Sequence, residues 1–399
     1  MASRTTGTKG ATAAGKKRPS RRPPSPRSKK PEGSSSSGGG GGGGRGGGVA
    51  IAKWIAFAML VLAALLFGAL VVIYPARPGA DSGREVDLVL MGDESPEALA
   101  GKLAGAGLVA DPRLFAWYVR ASRASGKVAK GSHFLTDDLS PHELLTRIEK
   151  RGAATRVKVA IPEGWTSFDI AKRLHAQRVC SKTAFLEAVR DRRVLGELRI
   201  DGDSAEGFLF PATYELAQDS LPEDVVRRMK AEFDRRFAVL EDRHGSGVLD
   251  LSQSLHWGTR QIVTLASMVE KEAAVDEERP IIASVFLNRL RDPKFSPKLL
   301  QCDPTAGYGC LLDPARSPAC AAYTGKITHD MVADPSNSYN TYKHEGLPPG
   351  PISNPGTKSL EGVMAASNTR YLYFVAKGGG RHLFSETYGN HAAAVDGSK

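Results

Sequence analysis

Two carboxylates stand near the end of a helical stretch, Leu265-Ala-Ser-Met-Val-Glu-Lys-Glu-Ala273. Set out at about 100° per residue, Ile262, Leu265, Ala266, Val269 and Ala273 fall on one arc, with Lys271 on the far side. Glu272 lies on one shoulder of that arc, flanked by Leu265 and Met268, and Glu270 on the other, beside Val263 and Ser267. A carboxyl at the rim of an apolar face loses part of its hydration, which raises its pKa toward the range where it can donate a proton near neutral pH. That is what a glycosidic oxygen needs in order to leave. Glu-Lys-Glu on a helix is more commonly a solvated face, so this segment alone leaves both readings open.

The elements that must position such an acid begin with a change of solvent. The net charge is +11, and twelve Lys or Arg precede Trp54 against one acid, Glu32. The whole excess therefore sits in the tail, and the remainder gives no reason to expect a specific nucleic-acid partner. Residues 1–53 are rich in Ser, Pro and Gly, with too little apolar surface to offset the entropy of ordering, and read as a disordered basic tail. The glycine run Gly38 to Gly44 precedes an apolar segment instead of joining a strand to a helix, so it is not a phosphate loop. Residues 54–74 are uncharged and, at about 1.5 Å per residue, span roughly 30 Å as a helix, the thickness of a bilayer core. Aromatic Trp54 and Tyr74 stand at its ends. The Lys/Arg excess before it predicts a cytoplasmic N-terminus and an exported remainder, in a single-pass membrane protein.

In the exported part, Val86 to Leu90 alternates as a strand, and Ser95-Pro96 and Asp111-Pro112 open helices. A strand over 131–135 and a helix opened by Ser140-Pro141 follow. Thr155 to Ile161 alternates again, and Thr166-Ser167 opens a further helix. The segment 85–175 resembles the LysM-like modules that bind amino-sugar polymers. Beyond it come an aromatic turn, Glu206-Gly-Phe-Leu-Phe-Pro-Ala-Thr-Tyr214, a charged helix from Pro222, the helix bearing Glu270 and Glu272, and a third from Pro280. About 60 residues then read as loop, rich in Tyr, Pro and amides and suited to a rigid polar cleft. A helix over 359–366 and a hairpin of Tyr371 to Ala376 with Arg381 to Ser385 close the chain. All four cysteines lie in the exported part, where a disulfide can persist, and Cys310 with Cys320 is the expected pair. No His/Cys spacing suits a metal, and no cofactor motif is present.

With these residues laid out, the chain resembles the endolytic murein transglycosylases of the YceG-like family. The resemblance is carried by Ile161-Pro-Glu-Gly, Glu206 through Tyr214, Ala266 through Ala273, Val285-Phe-Leu-Asn-Arg-Leu290, Gln301-x-Asp-Pro-Thr305, Tyr339-Asn-Thr-Tyr342, Gly346 through Gly356, Tyr371-Leu-Tyr-Phe-Val375 and His382-x-Phe-Ser385. It implies an α+β protein: a transmembrane helix, a small LysM-like lobe (85–175), then a mainly helical, lysozyme-like catalytic domain (176–399) with a C-terminal β-hairpin. It implies cleavage of the MurNAc-β-1,4-GlcNAc bond in peptidoglycan with formation of a 1,6-anhydroMurNAc end. It also suggests peptidoglycan synthases and division proteins as partners. That reaction needs one carboxyl: the substrate's own 6-hydroxyl is the nucleophile, whereas a hydrolase uses two acids.

Helix alignment on goose-lysozyme-like transglycosylases points to Glu272 over Glu270, although Ala273 stands where those enzymes carry a small hydroxyl residue. The same resemblance marks Glu206, Tyr214, Gln301, Asp303, Asn340, Tyr342, His382 and Ser385 as residues that could bind sugar or peptide. Two competing readings remain. A noncatalytic murein-binding or division scaffold needs only binding; a water-using muramidase needs a second carboxylate, for which Asp303 and Glu206 are the candidates.

Overall fold

The structure, a computed structural model, describes residues 46–80, 82–124, 126–149 and 155–397. Of the basic tail expected over 1–53, residues 1–45 lie outside the described residues. Helix α1 (Gly46–Gly68) starts earlier than the sequence suggests. It runs on through a wide turn, Ala69–Ile73, and a tight one, Tyr74–Ala76. Among the described residues one helical segment, Ala50–Ala76, is long and apolar enough to cross a membrane.

The small lobe is built from β1 (Glu85–Leu90), α2 (Pro96–Gly105), α3 (Pro112–Ala121), β2 (Gly131–Thr136) and α4 (Pro141–Ile148). Its three helices start alike. Ser95, Asp111 and Ser140 cap the first free N–H groups with a side-chain oxygen, and a proline follows where its missing donor costs nothing. Strands β1 and β2 pair antiparallel, Leu90 opposite Gly131. Leu90, Leu103, Phe115, Leu135, Leu144 and Ile148 bury each other in a core of their own.

The main body follows: β3 (Arg156–Ala160), α5 (Ser167–Ala176), α6 (Lys182–Ala188), α7 (Arg192–Glu197) and β4 (Thr213–Ala217). Next come α8 (Pro222–Arg243), α9 (Gly245–Leu255), α10 (Thr259–Glu272) and α11 (Arg279–Arg291). Strand β3 pairs antiparallel with β4, Val159 opposite Tyr214. The segment 85–175, expected as one lobe, is thus divided between two cores. Val159, Ile161, Ile170 and Leu174 bury against Leu265 and Val269 in the larger one, because the partner of β3 lies beyond residue 212.

The stretch expected as loop after residue 291 contains three helices, α12 (Asp303–Leu312), α13 (Pro318–Ala321) and α14 (His329–Ala333). Ser317-Pro318 starts its helix in the manner of the small lobe, whereas α12 begins at Asp303 with Pro304 in its first turn and no side-chain cap; the prolines of 346–356 remain in loop. Cys310 and Cys320 are bonded to each other, while Cys180 and Cys302 are free and buried. Helix α15 (Thr357–Met364), strands β5 (Tyr373–Gly378) and β6 (Arg381–Ser385), and α16 (Tyr388–Gly397) complete the chain. The hairpin pairs Tyr373 with Ser385.

Helix α10 is the axis of this body. Every residue from Ile262 to Val269 is buried, and α11, α12 and α15 pack around it. The turn before β4 is drawn tight against the proline-rich loop. Gly207 has φ +87°, and a Cβ there would stand 2.5 Å from the Pro351 ring.

Candidate functional site

Glu272 is the last residue of α10, and the chain turns to an extended conformation at Ala273. The residue is half-buried at the rim of the core. Burial pushes its carboxyl above the usual range. The Cys302 thiol and the positive charges of His382 and Arg289 pull it back only in part, and the nearby Asp303 carboxylate pushes it further up. The Cys302 thiol is itself driven well above its ordinary value, by burial first and by the Glu272 charge next, so it meets the carboxyl as a protonated donor.

Four segments converge on this carboxyl. Helix α11 contributes Arg289, whose Nε donates to the Leu372 carbonyl at 2.7 Å and whose Nη1 donates to the Leu300 carbonyl at 2.6 Å. The guanidinium lies over the rings of Phe295 and Tyr373 at 5.4 and 5.6 Å. The start of α12 contributes Cys302 and Asp303. Asp303 is exposed and accepts a 2.6 Å hydrogen bond from the Tyr342 hydroxyl, supplied by the loop after α14. Strand β6 contributes His382. Its backbone N–H donates to Glu278 Oε1 at 3.1 Å, its Nδ1 lies 2.7 Å from Glu278 Oε2, and the Phe374 ring stands edge-on at 5.3 Å. The result is a partly desolvated acid among donors, aromatic rings and one further carboxylate. Such a group can protonate a leaving oxygen and, once ionised, accept a proton in return.

Glu270 faces elsewhere. Its carboxylate accepts from the Gly356 N–H at 3.0 Å and the Ser359 hydroxyl at 2.7 Å, and lies 3.3 Å from Arg279 Nη1. Glu163, in the turn after β3, stands close by; its pKa is raised by burial and by the Glu270 charge.

The other residues that the sequence singles out divide by burial. Glu206 is 1% exposed and takes donors from the Ser167 N–H and hydroxyl, the Tyr308 hydroxyl and the Asn354 amide. It holds three segments together inside the body. Tyr214 is buried and donates to the Phe210 carbonyl at 2.6 Å. Asn340 is buried and caps the end of α14 through the carbonyls of Met331, Val332 and Asp334. Ser385 is buried at the end of β6, where its carbonyl accepts from Leu372. Gln301 is exposed beside Cys302, with φ +52° and its N–H bonded to the Thr341 carbonyl. Asp303, Tyr342 and His382 are thus gathered with Glu272, Gln301 stands at the edge of the group, and the other four are internal.

Sequence reasoning missed Arg289, Cys302 and Glu278. Arg289 and Cys302 lie within stretches already singled out, whereas Glu278 carries no pattern of its own. Among the described residues, no group of three or more His, Cys, Asp or Glu side chains is arranged to hold a metal ion.

The YceG-like family matches residues 89–397. The endolytic murein transglycosylase of Bacillus subtilis is 28% identical over 332 residues, which cover 79% of this chain and 85% of that protein. The Streptococcus pneumoniae protein of the same name is 26% identical over 355 residues, covering 82% of this chain and 60% of its own length. A crystallised YceG-like protein from Listeria monocytogenes matches at a TM-score of 0.49 and 26% identity, with 78% of this chain and 99% of that one aligned.

Proposed function

Because this chain belongs to the YceG-like family, we propose that it is an endolytic lytic transglycosylase, cleaving the MurNAc-β-1,4-GlcNAc bond within peptidoglycan strands with Glu272 as its acid and base. The observation that carries this reading is the Glu272 carboxyl itself, half-buried at the end of α10 with its pKa raised, among Arg289, Cys302, Asp303, Tyr342 and His382.

Glu272 enters protonated. It gives its proton to the bridging oxygen as the bond from that oxygen to the MurNAc C1 breaks, and it is left as a carboxylate. The 6-hydroxyl of the same MurNAc attacks C1, and Glu272 takes the hydroxyl proton as the C1–O6 bond forms. The acid is restored and no water is consumed. A nucleophile held within the substrate has the high effective concentration that makes a second enzymic carboxylate unnecessary. Burial sets where the acid titrates in the main, with Asp303 adding to it and His382 and Arg289 favouring the carboxylate stage. Gln301, Asp303, Tyr342 and His382 are the residues this reading assigns to the sugar. The basic tail ahead of the apolar helix puts the N-terminus in the cytoplasm and this site outside, where murein lies. The small lobe is read as LysM-like and the helical body around α10 as lysozyme-like.

Asp303 favours one second reading, a water-using muramidase, since it is an exposed carboxylate whose charge reaches Glu272. Mass spectrometry of products from purified sacculi separates the two, because an anhydro end is one water lighter than a reducing end. Anhydro ends support the transglycosylase. Reducing ends that take up oxygen from labelled water would establish the muramidase, and binding without cleavage would leave a murein-binding scaffold.

A further inference from the structure

We propose that the exposed face of α3, formed by Arg113, Trp117 and Arg120, lies in the headgroup layer of the membrane and seats the small lobe on an anionic phospholipid surface. This rests on the reading that Ala50–Ala76 spans that membrane.

Helix α3 has two unlike faces. Phe115, Tyr118 and Val119 are buried in the lobe's core, whereas Arg113, Trp117 and Arg120, spaced i, i+4 and i+7, point outward. Trp117 is 62% exposed. An indole, with an apolar body and a polar N–H, suits a surface that has an apolar side and a polar side.

The position of α3 supplies that surface. The helix packs beside Ala69–Ile73, within the segment apolar enough to cross a bilayer, and the Tyr118 ring meets the Tyr74 ring edge-on at 5.8 Å. Tyr74 stands in the last turn of that segment. If the segment crosses a membrane, α3 is held at the depth where the span emerges. Tryptophan favours that depth, and arginine can bury its stem there while its head stays among phosphates. Basic side chains near an anionic surface are drawn to it. The acids on this side are already engaged: Asp111 accepts from the Arg113 and Leu114 N–H groups, and Glu97 meets Arg120 in an exposed pair worth little in water. Two guanidinium groups and one indole therefore favour phospholipid headgroups over a neutral surface.

The test uses the full chain in phosphatidylcholine vesicles with and without phosphatidylglycerol. A nitroxide is attached in turn to Leu62→Cys, Trp117→Cys and Val239→Cys; the native Cys180 and Cys302 are buried and Cys310 is bonded to Cys320, so each added thiol is the reactive one. Collision with dissolved oxygen is compared with collision with a water-soluble nickel chelate. The label at 62 should favour oxygen, the label at 239 nickel, and the label at 117 should read several-fold closer to 62 than to 239 when phosphatidylglycerol is present. Arg113→Glu with Arg120→Glu should return position 117 to the nickel-accessible class. If 62 favours oxygen while 117 matches 239 in both vesicle types, the lobe is not seated and the proposal is overturned. If 62 itself favours nickel, the span fails, and the proposal falls with it for that separate reason.

Discussion

Glu270 and Arg279 form an ion pair of 3.3 Å with side chains 6% and 9% exposed, and this pairing separates the two carboxyls of α10 by role. One acid ties α10 to the start of α11 and, through Ser359, to α15. The other is left half-buried at the helix end.

Removing one member of a buried pair leaves the other charge without compensation. Glu270→Gln should therefore lower stability by about 3–5 kcal/mol, read from urea unfolding. A loss well under 1 kcal/mol would mean that the pair is effectively solvated.

The Glu272 carboxyl predicts a pH signature. Below the ordinary carboxyl range the group is neutral in both folded and unfolded chains and makes no difference. As pH rises through that range toward the raised folded value, the unfolded chain ionises first and the native state loses relative stability. Glu272→Gln should match the parent in acid and become the more stable protein as pH rises. Melting temperatures across a pH series check this, and a gap that narrows with rising pH would contradict it. In activity profiles, His382→Ala should move the alkaline limb upward, since a charge that favours ionised Glu272 is gone.

Glu206 is expected to matter for folding and not for chemistry. Glu206→Ala strands donors from Ser167, Tyr308 and Asn354, at about 1–3 kcal/mol each. Thermal unfolding should register a loss of about 3 kcal/mol or more in sum. A variant of near-native stability that has lost turnover would instead place Glu206 at the substrate.

Much of this architecture was legible in the sequence because its signals are local. Ser95-Pro96, Asp111-Pro112 and Ser140-Pro141 announce helices whose caps form as expected, and the apolar stripe of α10 is buried from Ile262 to Val269. The same cap-and-proline signal at Ser317-Pro318 was submerged in a stretch whose prolines and tyrosines suggested loop. The site was less legible, because a polar residue in a family motif looks the same whether it faces a cleft or binds a loop. Asn340 and Glu206 are distinguished from Asp303 and Tyr342 by burial alone. Arg289 and Glu278 find their partners in Leu372 and His382, 83 and 104 residues away, and no periodicity encodes such distances.

The central claim is that Glu272 alone carries the proton both ways. Purified Glu272→Gln, compared with the parent and with Glu270→Gln on isolated sacculi, tests it most directly. A general acid and base contributes about 10²–10⁴-fold. Anhydro-muropeptide release by Glu272→Gln should therefore fall by at least the lower figure while its fold persists, and Glu270→Gln should keep per-molecule activity in whatever fraction remains folded. Full release of anhydro ends by Glu272→Gln, with loss confined to a folded Glu270→Gln, would contradict the account.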